Sequence, residues 1–383
     1  MIVNVQVLRA FAASVVVFYH VQAMIKASAD LQQSYLHFPA AGVDVFFVIS
    51  GFIMFRSTRA FKRTTVEFWI DRIVRIVPMY WLTTLTLVMF YLGGRHPNGV
   101  HRLDAGDVVS ALLFIPDIRA DGLKEPVLSS GWTLIYEMYF YFVFGLTFFM
   151  RSHLKSFVAV ALVFAAVVTA GAAFGPFSYA VDYFCNPIVF EFLAGCALAL
   201  DYPHLKFSST QSARTIGYAL IIGGVGVIGL SDWYAYGAFQ NWSIRLLVYG
   251  IPAWAIVAGA LILEQAGFVW KNRALSALGS ASYSLYLVHP LVMQPVSKVF
   301  HFIAATFFPS PLFDGPSPSV LNWIFAGAIT PVIIVAGGIA GLVAYRWIER
   351  PIENYYKRWS RRSPAVATKG APQLQTAPTD GER

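Results

Sequence analysis

Apolar residues fill this chain in long blocks, and polar residues collect in the short stretches between them. A block of about 20 apolar residues crosses a bilayer as a helix. The blocks predict ten membrane spans, near residues 3–25, 40–56, 73–93, 130–150, 156–174, 183–200, 214–230, 243–263, 276–300 and 320–346. A closed barrel would alternate polar and apolar positions along each strand, and that alternation is missing here. The expected fold is all-α, a polytopic integral membrane protein of about ten transmembrane helices. "DVVSALLFIPD", 107–117, is too short to cross and reads as an interfacial or re-entrant piece of the loop 94–129. From residue 357 the chain turns basic and then Pro-, Ala- and Thr-rich. That composition predicts a disordered cytoplasmic tail, 357–383, behind a membrane domain, 1–356.

Composition sharpens this picture. The 383 residues are 57% hydrophobic and 13% charged. A soluble domain carries about a quarter charged residues, so that class is excluded. The net charge of +8 is explained by where it sits. With the N-terminus in the cytoplasm, 20 of the 28 Lys and Arg residues fall on the inner side and seven on the outer, Arg9 being inside the first span. The positive-inside rule then places both termini in the cytoplasm, and no nucleic-acid partner is implied. The basic start of the tail suits anionic lipid headgroups. Cys185 and Cys196 stand about 16 Å apart on a helix, which speaks against a disulfide and a cysteine metal site. "ASA" at 27–29 faintly resembles a cleavage site, but Arg9 sits where a signal peptide's apolar core should begin. Residues 1–29 are therefore expected to stay as the first span.

The informative residues are those a membrane resists. Arg9 and His20 lie eleven apart, about 20° past three full helical turns, so they share one face about 16 Å apart. Intramembrane ionisable groups usually face the protein interior or a wet cavity. Taken singly, Arg9 could snorkel to headgroups and His20 could bond a neighbouring helix. Their shared face favours a functional cavity. Arg72 and Arg75 are neighbours on one face at the expected cytoplasmic mouth of span three. They read either as positive-inside anchors or as a clamp for phosphate, whose oxygens match guanidinium forks. Glu137 lies inside span four and needs a partner or a proton. Trp132 and the nearby tyrosines belong equally to an interfacial belt. Tyr283, Tyr286 and His289 share a broad face, and His289, just before Pro290, could stabilise a kink. Asp44 sits near the outer end of span two, where Ser50 and Gly51 would permit close helix approach. Glu191 reads as structural, and Glu349 and Arg350 as capping and anchoring residues.

These pieces in order, "LRAFAASVVVFYH", "GVDVFFVISGF", "RIVRIVPMYW", "WTLIYEMYFY", "SYSLYLVHP" and "YRWIERP", resemble the membrane-bound acyltransferase-3 family over about residues 4–355. The likeness is greatest to its bacterial exopolysaccharide O-acetyltransferases of succinoglycan type. Arginine, ten residues, then histidine is a signature of that family, met by Arg9 and His20. Its paired arginines are met by Arg72 and Arg75. Relatives often carry a second polar residue beside the glutamate, whereas this chain has Glu137 followed by Met138. Some relatives add a periplasmic esterase-like domain; this chain is expected to act alone or with a separate partner.

The resemblance implies an O-acyltransferase of the inner membrane that moves an acyl group, by expectation acetyl, from acyl-CoA to a sugar hydroxyl of an exopolysaccharide or its lipid-linked precursor. Acyl-CoA is then a donor substrate, no cofactor is held permanently, no metal is required, and polysaccharide-assembly proteins are candidate partners. An alcohol attacks a thioester poorly unless a base takes its proton. His20 suits that role, since an unperturbed imidazole has a pKa of about 6.5. Arg9, Arg72 and Arg75 would hold coenzyme A phosphates, and Glu137 would orient or charge-balance His20 or an arginine. Asp44, Trp132, Tyr286 and His289 would bind substrate or organise the site. The rival readings are a proton-coupled transporter of a polar or glycan-related substrate and a scaffold in polysaccharide assembly. No internal repeat of the transporter kind is visible.

Overall fold

The structure is a computed structural model describing residues 2–29, 36–58, 64–94, 102–120, 122, 124–202, 204, 207–234, 242–307 and 320–362. Its helices, in chain order, are α1 (Val3–Ala29), α2 (Ala41–Ser57), α3 (Thr65–Leu92), α4 (Ala105–Leu112), α5 (Trp132–Leu146), α6 (His153–Phe174), α7 (Tyr179–Phe184), α8 (Val189–Asp201), α9 (Thr210–Tyr234), α10 (Trp242–Arg245), α11 (Ile251–Gln265), α12 (Arg273–Ser280), α13 (Ser282–Phe307), α14 (Val320–Ala344) and α15 (Arg350–Arg362). No strand occurs among the described residues. Nine helical stretches among them are long and apolar enough to cross a membrane. The protein is an all-α polytopic membrane protein. The ninth expected span, 276–300, is divided: α12 closes at Ser280, and α13, 26 residues long and carrying Pro290 and Pro295, is not among the nine.

Polar residues set several ends that hydropathy misplaces. α3 begins eight residues before the expected 73, because Thr64 and Glu67 form a reciprocal capping box. Arg72 and Arg75 therefore lie two turns or more inside a helix, not at its mouth. α4 is the short piece anticipated within 107–117, and it begins at a second box, Asp104 with Asp107. The span expected at 183–200 is broken at Asn186–Pro187 into α7 and α8. α15 runs to Arg362, so the tail boundary expected at 357 falls inside a helix; residues 363–383 lie outside the described residues.

α2 lies at the centre of the bundle, while α6 and α9 are largely exposed at its margin. Small residues allow the central crossing. A Cβ on Gly51 would stand 2.1 Å from the Phe192 carbonyl oxygen, and one on Gly195 would stand 2.0 Å from that of Val48. The two glycines thus let α2 and α8 touch backbone to backbone, as membrane helices do when driven by packing. The first turn of α1 is tied down from afar. Glu264 accepts the backbone N–H groups of Val3 at 2.8 Å and Asn4 at 2.7 Å. Asn4 donates its amide to the carbonyls of Ala260 and Phe268 and accepts from the Trp270 N–H. Those groups would otherwise be unsatisfied helix-end donors. α1 is thereby held against the end of α11 with its polar face turned inward.

Two π-helical turns interrupt the α-helices, Leu246–Gly250 directly after Arg245 and Tyr345–Glu349 ending on Glu349. Such turns re-aim the residues around them and gather at functional sites.

Gly195→Ala should destabilise the protein by about 1–3 kcal/mol, the usual cost of overpacking. Gly226→Ala, where an added methyl meets nothing within 4 Å, should not. Thermal midpoints in detergent compare the two; an unchanged midpoint for Gly195→Ala contradicts the close crossing.

Candidate functional site

Two cavities meet inside the bundle, and Val43 and Tyr286 belong to the walls of both. The first, of about 310 Å³, is lined by Arg9 of α1, Ser50 of α2, Arg72 and Arg75 of α3, Glu137 and Tyr141 of α5, and Tyr283 and Tyr286 of α13. The second, of about 850 Å³, is lined by His20, Trp132, Tyr136, Tyr183, Asn186, Trp242 and Arg245 among others.

The arginine cavity carries three guanidinium groups and one carboxylate on its wall. Arg72 sits over the rings of Phe68 and Tyr141, at 5.2 and 5.5 Å, and donates to the Ser57 hydroxyl at 3.3 Å. Its Nε is buried with no hydrogen-bond partner among the described residues. Arg75 faces Glu353 at 3.4 Å. Glu137 accepts the Ser50 hydroxyl at 2.7 Å and the Tyr141 hydroxyl at 2.5 Å. Its charge acts attractively on Arg9, Arg72 and Arg75. Glu349, expected as a cap, is instead buried at 4% exposure, accepts the Ser284 hydroxyl, and acts on Arg9 and Arg75. It is the last residue of the π-helical turn Tyr345–Glu349.

His20 lines the second cavity, so the chamber it was expected to share with Arg9 is divided in two. Tyr286 stands where the two meet, and its hydroxyl lies 2.9 Å from that of Thr133 and donates to the Ser130 carbonyl at 3.0 Å. Glu137 is on the arginine side and does not orient His20. The His20 ring packs against Tyr19 and against His289, with centroids 5.5 and 5.1 Å apart. His289 is fully buried behind it, with Nδ1 3.3 Å from the Leu285 carbonyl oxygen. Trp132 lines the same cavity, and its carbonyl accepts the Tyr183 hydroxyl.

Asp44 does not reach either wall. It is fully buried and receives Arg245 through a two-point fork, Nε to Oδ1 at 3.1 Å and Nη2 to Oδ2 at 2.7 Å. Arg245 is also set against the faces of Trp242, Tyr249 and Trp132 at 5.4 to 5.9 Å. Glu191 is buried nearby, and neither of its carboxyl oxygens has a hydrogen-bond partner among the described residues. Sequence reasoning counted Arg245 only among the orientation charges. The signal for it was Asp44 itself: a buried carboxylate requires a cation, and an isolated arginine stood at the start of an apolar run.

The described residues thus gather, from α1, α3, α5 and α13, groups able to bind an anion in one cavity and to accept a proton in the other. The family profile described as an acyltransferase domain matches residues 2–341. The chain is 35% identical over 321 residues to the exopolysaccharide production protein ExoZ of Rhizobium meliloti (strain 1021), covering 82% of this chain and 89% of that one. It is 24% identical over 382 residues to the peptidoglycan O-acetyltransferase OatA of Listeria monocytogenes, covering 91% of this chain and 56% of that one. It is likewise 24% identical over 378 residues to the O-acetyltransferase OatA of Staphylococcus aureus (strain NCTC 8325 / PS 47), with 91% and 56% covered. The chain therefore spans little more than half of each OatA protein. No solved structure matches it significantly. The chain belongs to the acyltransferase-3 family.

Proposed function

We propose that this protein transfers an acyl group, acetyl, from acyl-CoA to a sugar hydroxyl of an exopolysaccharide or its lipid-linked precursor. It works in the inner membrane with both termini in the cytoplasm. One observation carries the reading: a cavity lined by arginines and a cavity lined by a histidine share the side chains of Val43 and Tyr286. The names of the relatives, exopolysaccharide production and peptidoglycan O-acetyl transfer, support a carbohydrate acceptor.

Arg9, Arg72 and Arg75 grip the phosphates of coenzyme A. The unpartnered Nε of Arg72 fits this role, because a buried donor without an acceptor costs about 1–3 kcal/mol and a phosphate oxygen relieves it. Glu137 and Glu349 limit the repulsion among the arginines. The pantetheine arm runs past Tyr286 and carries the thioester toward His20, about 16 Å along α1 from Arg9. The acceptor enters the second, larger cavity. As the sugar oxygen bonds to the thioester carbonyl carbon, its proton passes to His20. The carbon–sulfur bond then breaks, and the proton is delivered to the departing thiolate. The Asp44–Arg245 pair fixes the wall opposite, where Trp132 and Trp242 stand. Separate polysaccharide-assembly proteins would bring the acceptor.

His20→Ala should lower acyl transfer by about 100- to 10,000-fold, the usual contribution of a positioned base. Purified protein in nanodiscs, with labelled acetyl-CoA and the polysaccharide as acceptor, supplies the assay. Wild-type transfer by membrane-inserted His20→Ala would remove the base assignment. Flux of substrate without covalent change would favour transport instead.

Arg72→Ala and Arg75→Ala should each raise the KM for acetyl-CoA by about 10- to 100-fold, as loss of a charged hydrogen bond does. The effect should shrink with a donor that lacks the nucleotide phosphates, such as acetyl-pantetheine. An unchanged KM in both variants would contradict the phosphate clamp.

A further inference from the structure

His289 carries an atom that a kink-stabilising role beside Pro290 would not explain. Its Nδ1 lies 3.3 Å from the Leu285 carbonyl oxygen, four residues back on α13. A carbonyl can only accept, so Nδ1 holds the proton, and the neutral ring must present Nε2 as a bare lone pair. That Nε2 is buried and has no hydrogen-bond partner among the described residues. The ring itself is fully buried. A kink-supporting role accounts for Nδ1 and leaves Nε2 unsatisfied.

The neighbour that can satisfy it is His20. The two ring centroids are 5.1 Å apart and tilted by 42°. Two imidazoles joined by an N–H···N bond of about 2.9 Å stand roughly 5 Å apart, centre to centre. The observed centroid separation matches that spacing. Tyr19 and Tyr286 close the other sides of the pair, with centroids 5.5 Å from His20 and 6.1 Å from His289.

We propose that His289 is a positioning residue that fixes the tautomer of His20. His20 donates its N–H to His289 Nε2, and its other nitrogen is thereby left as a lone pair facing the second cavity. When His20 takes the acceptor's proton, the resulting imidazolium already has its second N–H held, with no change of partner. The chain of custody is short: Leu285 carbonyl, His289 Nδ1–H, His289 Nε2, His20 N–H, and then the basic nitrogen. It is built from two helices, α1 and α13, and uses no carboxylate. This explains how His20 can be oriented although Glu137 lines the other cavity. The proposal rests on the functional reading above and deepens it.

The test compares three substitutions in purified, nanodisc-embedded protein, read as coenzyme A release and acceptor acylation. His289→Leu fills the space without an acceptor atom. His289→Gln carries its amide oxygen about as far as Nε2, whereas His289→Asn stops near Nδ1. His289→Leu should lower kcat by about 10- to 100-fold, the scale on which loss of an orienting partner acts. The KM for acetyl-CoA should stay within about threefold of wild type. His289→Gln should recover most of the loss and His289→Asn should not. Wild-type kcat in the leucine variant, or equal impairment of the glutamine and asparagine variants, would overturn the role. Should the leucine variant fail to insert, the glutamine–asparagine comparison alone decides. A wild-type protein that releases no coenzyme A would instead overturn the functional reading, and this role with it.

Discussion

A charged side chain inside a bilayer needs a partner, and the architecture of this protein follows from that requirement. Asp44, Arg245, Glu191 and Glu349 are almost wholly buried, and Arg9, Arg72, Arg75 and Glu137 meet in one cavity. Removing one member of a buried pair costs about 3–5 kcal/mol, since the other charge is left uncompensated. The helices are therefore held in register by their charges as well as by their apolar faces. The Arg245 fork joins Asp44 of α2 to the turn ahead of α11, while Glu264 at the end of α11 holds the first turn of α1. The same segment thus positions both α2 and α1. Each π-helical turn sits beside one of these buried charges. That placement fits a local widening used to bring a polar group inward.

Much of this was legible along the chain. Long apolar blocks specify an all-α membrane bundle because a bilayer demands helices whose backbone groups are paired internally. The positions of Arg9, Arg72, Arg75 and Glu137 were readable as exceptions, and the structure gathers those four around one cavity. Their membership in one cavity was not readable from any helix alone. The spacing of Arg9 and His20 gives a face and a distance, but it cannot show that Tyr286, from a helix far along the chain, stands where their cavities meet. For the same reason the pairing of Glu137 with Ser50 and Tyr141 was hidden, and the sequence left both His20 and an arginine open as its partner.

Other differences have local causes. Hydropathy places α3 too late because Glu67, Asp71 and Arg72 interrupt its first two turns, and only the capping box marks where it starts. It ends the folded region too early because α15 is rich in charge: a helix lying outside the apolar blocks looks like a tail. Glu349 was assigned to the surface because a charged residue at the end of the last span usually caps or anchors. The π-helical turn on which it ends has no plain sequence signature. Arg245 was absorbed into the charge balance that sets orientation, since a count of Lys and Arg treats every basic residue as a headgroup anchor.

The division of the interior into an arginine side and a histidine side gives the account its central claim. A single donor molecule must lie across Tyr286, phosphates on one side and thioester on the other. The most direct measurement is an experimental structure of the full chain in a nanodisc with a non-hydrolysable acyl-CoA analogue. The account predicts phosphate density against Arg9, Arg72 and Arg75, the pantetheine passing Tyr286, and the acyl carbonyl beside His20. An analogue bound with its phosphates away from the three arginines, or with its acyl end shut off from His20, would contradict it.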